Sequence, residues 1–234
     1  MLVAHALAQV RRALALPGVP QSGRLLELGC GDGCITVRLA RELPFAVSGV
    51  DIVPLAVALA AQREGVELEL RQGSVLALPW PDGHFDAVVD GNLLHCIVLG
   101  DRARCLAEAW RVLAPGGALI VMCLAGDPPP SAVFAFDPVT RCQIRDGVAG
   151  RHFATQESLL AELTAAGFEI AAHWLNPATH AEECDEMVVA ARWASITQRD
   201  PSPLRPSSWN PCSPRISVTL SIGLSLVVFS PIPS

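Results

Sequence analysis

The chain has 234 residues, 51% of them hydrophobic and 17% charged, with a formal net charge of −6. It contains no lysine and no tyrosine, which removes P-loop phosphate binding, Schiff-base catalysis, a lysine base and a tyrosine acid. Its arginines are scattered rather than clustered, so a surface that tracks nucleic-acid phosphates is not expected.

The length suits one domain with a sizeable core. Eight cysteines show no C-x-x-C pair and no paired framework, and no signal-type segment opens the chain. Free thiols in a reducing cytoplasm are therefore expected.

In chain order, positions 3–16 read as an amphipathic helix ended by Pro17 and Gly18. Strands are expected at 24–28, 46–50 and 67–72, with helices at 35–43 and 54–63 between them. A fourth strand covers 85–90. A helix follows at 101–113, with Asp101 as its N-cap. The turn Pro115-Gly116-Gly117 leads into a fifth strand at 118–123. Thr155 caps a helix that runs to Ala166, Gly167 ends it, a sixth strand follows, and 187–193 is the last strand.

Residues 126–153 are too many for a plain connection. They hold three consecutive prolines, a Phe-Ala-Phe pair and a turn at Asp146-Gly147. An insertion of this length at the carboxyl edge of a sheet is expected to cover a substrate. The domain is expected to end near 196. Residues 197–234 read as a proline- and serine-rich tail or a non-native extension, rather than a functional element or an added edge strand. Its apolar stretch is shorter than the about 20 residues a membrane-spanning helix needs.

The informative stretch is 24–51, RLLELGCGDGCITVRLARELPFAVSGVD. It reads strand, glycine turn, helix, strand, acid. Glycines at 29, 31 and 33 let the backbone approach a ligand. The amides that open the next helix face an anionic group. Asp51, ending the second strand, is placed to accept both hydroxyls of a ribose. Its alternative role is to cap the helix from Pro54. The spacing departs from the dinucleotide pattern G-x-G-x-x-G, because Cys34 stands where that pattern needs its third glycine.

With Glu27 two residues before the first glycine, the loop resembles the first motif of the class I S-adenosylmethionine-dependent methyltransferases, acid-x-G-x-G-x-G. LPWPDGHFDAVVDGNLLHCI (78–97) is similar to that family's fourth-strand region. RVLAPGGALIVMC (111–123) is similar to its fifth-strand motif, and AAGFEI (165–170) to the entry to its sixth strand. The resemblance covers 7–193. It implies a doubly wound α/β sheet of seven strands, mostly parallel, with the last strand inserted antiparallel between the fifth and sixth.

The resemblance also implies S-adenosylmethionine as cofactor. Glu27 lies near the methionine ammonium, and Gly29, Cys30 and Gly31 line the loop through their backbone. Asp51 takes the ribose, Ile52 packs on the adenine, and Asp90 and Gly91 border the methionyl group. Ser74 stands where relatives usually carry an aspartate that accepts the adenine amine; Val75 offers its amide beside it. His95 and Asp90 are the candidate acceptor-side catalytic groups. The alternative for His95 is simply to line the site.

The implied reaction is methyl transfer to a small-molecule acceptor, without nucleic acid or membrane, by a monomer or homodimer. Two alternatives stand beside it: an NAD(P)-dependent oxidoreductase, and a non-catalytic cofactor-binding partner subunit. The family's N-terminal lid is short or missing here. In the insertion, Arg141, Arg145, Arg151 and His152 read either as an acceptor-carboxylate site or as solvated loop charges. No metal is expected: His180 and Cys184 have H-x-x-x-C spacing but no second local pair to join Cys142 or Cys123.

Overall fold

The computed structural model describes residues 2–63 and 65–194. The expected tail at 197–234 lies outside the described residues. The main elements are α1 (Leu2–Leu14), β1 (Gly23–Leu28), α2 (Cys34–Glu42), β2 (Phe45–Asp51), α3 (Pro54–Ala61), β3 (Glu69–Gln72), β4 (Phe85–Gly91), α4 (Asp101–Val112) and β5 (Leu113–Ala125). Then come β6 (Phe136–Asp137), β7 (Cys142–Arg145), β8 (Val148–His152), α5 (Gln156–Ala165), β9 (Phe168–Asn176) and β10 (Asp185–Trp193). Short 3-10 turns lie at Leu94–Cys96 and Pro130–Ala135.

The main sheet has seven strands in the order β3-β2-β1-β4-β5-β10-β9. β10 runs antiparallel to both β5 and β9, while β1 pairs in parallel with β2 and β4. This is the doubly wound sheet with one reversed strand that the sequence led us to expect. Strand order reverses at β1 and β4, and such a switch point opens a crevice at the strands' carboxyl ends.

Strand period two divides the apolar side chains between two cores. Leu26, Leu28, Val88 and Val121 pack with Leu106 and Ala109 of α4 and with Leu159 and Leu163 of α5. Leu25, Val89, Ile120 and Met122 pack with Leu7, Val10 and Leu14 of α1 and with Leu39 of α2. α1 is thus a core helix on one sheet face. Trp174 Nε1 donates to Gln9 Oε1 at 2.7 Å, which fastens α1 to β9.

Two local expectations change and one holds. Asp101 is the first residue of α4 rather than its cap; Gly100 holds the cap position. The Asp101 carboxylate instead accepts from Arg104 at 2.9 Å, one turn on. Pro115-Gly116-Gly117 does not precede β5 but lies inside it. Phe85 pairs with Leu113 and Ala87 with Ala118, so the extra residues bulge out of the ladder, with Gly116 at φ 81°. Thr155 does cap α5: Ser158 N donates to its hydroxyl at 3.0 Å, and Thr155 N donates back to Ser158 Oγ at 2.9 Å.

The insertion folds as a second, three-stranded sheet, β6-β7-β8. Asp146 (φ 51°) and Gly147 (φ 76°) make its hairpin turn, where positive φ at both positions matches the twist of the strands. The small sheet is tied to the main one. Gly126 N donates to Ala154 O at 2.8 Å. Arg141 donates to Phe153 O and Gly126 O, both at 2.6 Å.

Candidate active site

The glycine loop joins β1 to α2 at the switch point. Cys30 N donates to Val50 O at 3.0 Å, which carries the β1–β2 ladder one residue into the loop. Gly29 has φ 67°, and a Cβ there would lie 3.0 Å from the Leu93 side chain. Gly33, at φ 79°, caps α2. A Cβ there would meet Ala60 Cβ at 2.8 Å, so glycine is what lets α3 close against the loop. Arg63 secures that contact from the end of α3. It donates to Asp32 O at 2.5 Å and to Asp32 Oδ2 at 2.6 Å. Nothing in sequence spacing points to Arg63, which lies 31 residues from its partner.

Asp51 closes β2 and is buried, at 6% exposure. Its Oδ2 accepts from Gly31 N at 2.9 Å and its Oδ1 from Val53 N at 2.9 Å. The carboxylate thereby orients both the glycine loop and the turn into α3. Each oxygen retains acceptor capacity for a diol. The cavity beside it is lined by Gly29, Asp51, Ile52, Ser74, Val75 and Leu93. Ile52 leaves 40% of its surface open. The Ser74 hydroxyl accepts from Leu76 N at 3.2 Å. Leu93, absent from the sequence-derived set, also lines this cavity.

Glu27 is buried at 1% exposure. Thr36 Oγ1 donates to its Oε2 at 2.5 Å, and a Cβ on Gly91 would lie 3.1 Å from its Oε1. Burial, opposed by the Thr36 bond and reinforced by Asp51 and Asp90, raises its pKa to about 8. The folded protein therefore holds a proton here that the unfolded chain releases above the ordinary carboxylate range. Stability should fall as pH rises from the ordinary carboxylate range toward 8. Glu27→Gln is expected to match wild type in acid and to exceed its stability by about 1–3 kcal/mol near pH 8. Thermal melts of both proteins across pH check this; parallel curves would refute it.

Asp90 faces the other side of the sheet. Its Oδ1 accepts from Leu93 N at 2.6 Å and Leu94 N at 3.1 Å. Its Oδ2 is buried without a hydrogen-bond partner, beside a small cavity lined by Leu28, Cys105 and Val121. Burial raises its pKa to about 7. The carboxylate thus fastens the 3-10 turn that carries Leu93 and His95.

His95 is buried at 3% exposure, with Nδ1 unpartnered. Burial, then the Arg151 and Arg102 guanidinium groups, lower its pKa to about 3, so the ring is neutral. Within the insertion, Arg141 is committed to backbone carbonyls and to Asp127 at 3.4 Å. Arg145 is exposed and Arg151 half-buried. His152 Nδ1 lies 3.7 Å from Cys142 Sγ. No cluster of three metal-ligating side chains occurs among the described residues, and none of the described helices is long and apolar enough to cross a membrane.

The family described as "Methyltransferase domain" matches residues 26–121, from β1 into β5. A demethylmenaquinone methyltransferase of Thermus thermophilus is 40% identical over 53% of this chain and 56% of its own length. A ubiquinone/menaquinone biosynthesis C-methyltransferase of Desulfotalea psychrophila is 32% identical over 68% of this chain and 64% of its own. Over these stretches the chain is similar to class I S-adenosylmethionine-dependent methyltransferases. It spans roughly half to two thirds of the length of these relatives. Solved methyltransferases share the fold. One is a Burkholderia thailandensis 1,6-didemethyltoxoflavin-N1-methyltransferase with bound 1,6-didemethyltoxoflavin and S-adenosylhomocysteine: TM-score 0.64, 24% identity, 83% of this chain and 79% of that one. Another, from Methanosarcina mazei, has TM-score 0.61 at 22% identity, over 75% of this chain and 94% of that one.

The residues present fit the cofactor of this methyltransferase family. The buried Asp51 carboxylate is preorganised by two backbone amides at the mouth of an apolar slot, which suits a ribose diol next to a purine. Glu27, a buried carboxyl drawn toward neutrality by burial, suits the approach of an ammonium group, whose charge favours the ionised form.

Proposed function

We propose that this chain is an S-adenosylmethionine-dependent methyltransferase acting on a small aromatic acceptor, with the ring carbon of a reduced quinone as the finer reading. The Asp51 clamp beside the slot is the observation that carries the cofactor half. The names of the 40% and 32% identical relatives support the acceptor half. When bound, S-adenosylmethionine supplies a methyl group on a sulfonium sulfur, which is already activated and leaves behind a neutral thioether.

The chain's own part is mostly to position and to exclude water. Asp51 takes the ribose hydroxyls, and Ile52 and Leu93 enclose the adenine. Glu27, supported by Thr36, receives the amino-acid end with Gly29, Cys30, Gly31 and the edge at Gly91. Asp90 acts as a positioning residue, setting the turn on which Leu93 and His95 ride. His95 faces the acceptor side. The insertion at 126–153 is the substrate cap.

The test is incubation with S-adenosylmethionine carrying a labelled methyl group and a chemically reduced, short-chain 2-demethylmenaquinone. Mass spectrometry should show one label on the ring. Binding of the cofactor with no transfer to this or related hydroquinones would favour a non-catalytic partner subunit.

Ser74 gives a prediction on affinity. Its hydroxyl makes a turn bond to Leu76 N and offers the adenine amine an uncharged acceptor at best. Asp in its place can keep that turn with one oxygen and use the other on the amine. Ser74→Asp is expected to tighten S-adenosylhomocysteine by about 0.5–1.5 kcal/mol. The analogue with a keto group in place of the amine should gain nothing in calorimetric titration. Equal gains for both ligands would remove Ser74 from adenine recognition.

A further inference from the structure

Four carboxyl groups, Glu27, Asp32, Asp51 and Asp90, lie around the glycine loop. Strand register brings them together: Glu27 on β1 pairs with Gly49 of β2, two residues before Asp51, and with Val89 of β4, one before Asp90. They are held very differently. Asp32 accepts from Cys34 N at 3.2 Å and from Arg63 at 2.6 Å. Asp51 accepts from the amides of Gly31 and Val53, and Asp90 from those of Leu93 and Leu94. Glu27 is the exception. It is buried at 1% exposure, and its donor is the Thr36 hydroxyl on Oε2. Its Oε1 has no hydrogen-bond partner, and no arginine or histidine pairs with it, among the described residues.

The groups that face Glu27 sharpen the contrast. They are Cys34 and Thr36 on α2, Cys30 and Asp32 on the loop, Asp51 ending β2 and Asp90 near the end of β4. None is a cation, and Arg63, the cation at the end of α3, is already taken by Asp32. Burial and like charge both disfavour a carboxylate here, while the donors on the other three favour theirs. The proton of this cluster therefore rests on Glu27, where the Thr36 hydroxyl serves equally well as acceptor. Gly91 keeps the free oxygen uncrowded, since a Cβ there would lie 3.1 Å from Oε1.

We propose that Glu27 is a specificity-determining residue that admits the cationic amino-acid end of the cofactor in exchange for its own proton. This rests on the methyltransferase reading above and adds to it a proton released on binding. The Glu27 O–H bond breaks, the electron pair stays on the carboxylate and the proton goes to solvent. The ammonium brings the positive charge that the chain does not place here. A ligand without that ammonium leaves the proton where it is. Selectivity between the two kinds of ligand therefore grows with pH. The free protein holds its proton up to about pH 8. Below that, affinity for the ammonium ligand rises about tenfold per pH unit, and the rise stops once Glu27 ionises unaided.

Calorimetric titration of the full chain near pH 7, in buffers of different ionisation enthalpy, counts the protons. S-adenosylhomocysteine should release close to one proton per site. Methylthioadenosine, which keeps the adenosine and thioether but lacks the amino-acid end, should release close to none. Lowering the pH by about one unit should weaken S-adenosylhomocysteine about tenfold and leave methylthioadenosine unchanged. Glu27→Gln should bind both ligands without proton release and without that pH dependence. Thr36→Val keeps the side-chain shape but removes the donor to the carboxylate, so the pH dependence should move to higher pH. No proton released by wild type, equal release with both ligands, or release that persists in Glu27→Gln would overturn the exchange. If wild type does not bind S-adenosylhomocysteine, the cofactor reading fails first, which separates the two results.

Discussion

Asp51→Ala is expected to weaken S-adenosylhomocysteine binding by about 2–4 kcal/mol, because charge-assisted hydrogen bonds to two buried hydroxyls are lost. The upper part of that range reflects a second loss. The carboxylate also accepts from Gly31 N and Val53 N, so the variant frees both the glycine loop and the turn into α3. Asp51→Asn separates the two contributions. An amide oxygen can still take one of the backbone donors, while the charge on the diol is gone. Calorimetric titration should therefore rank wild type above Asn and Asn above Ala. Circular dichroism should show the fold kept in all three. Equal affinity across the series would end the ribose assignment.

Arg102→Met should be the most destabilising single change away from the cofactor. Arg102 is buried at 4% exposure and joins three elements. It pairs with Glu162 on α5 at 2.7 Å and donates to Leu94 O at 2.6 Å and Ile97 O at 3.2 Å. Methionine fills a similar volume but leaves the two carbonyls unpaired and Glu162 without its cation. Breaking a buried pair from one side costs about 3–5 kcal/mol, equivalent to a fall in Tm of roughly 10 °C for a domain of this size. The loss is local as well as global, because the turn held by Arg102 follows directly on Leu93, which lines the cavity beside Asp51. Weaker S-adenosylhomocysteine binding at a temperature where the variant is still folded would show that coupling. A Tm within a degree or two of wild type would show that Arg102 does not hold this junction.

Features encoded locally were legible in the sequence. The glycine loop, Asp51 at the end of β2 and the helix cap at Thr155 each depend on residues a few positions apart, and the structure places them as read. The reversed strand came from the resemblance rather than from periodicity, since β10 has the same apolar run as its parallel neighbours. What escaped depends on distant partners. Arg63 and Asp32 are 31 residues apart, and Arg102 and Glu162 are 60 apart; neither pair has a spacing signal. Asp90 illustrates a different gap. Its position at the end of β4 was clear, but alternation alone does not say which core a given residue faces. Packing of α4 against Leu28 and Val121 decides that its carboxylate turns inward. The Pro115-Gly116-Gly117 motif gave the right punctuation but the wrong element, because a bulge and a turn use the same residues. Residues 126–153 were legible as an insertion, and part of their small sheet as a turn signal at Asp146-Gly147.

The central claim is that the slot beside Asp51 is built for S-adenosylmethionine. The most direct measurement is calorimetric titration of the purified chain with S-adenosylhomocysteine and, separately, with NAD. Saturable binding of S-adenosylhomocysteine at one site per chain, lost in Asp51→Ala, with no saturable heat from NAD, is the predicted result. Saturable binding of NAD with none of S-adenosylhomocysteine, or S-adenosylhomocysteine binding unaffected by Asp51→Ala, would contradict it.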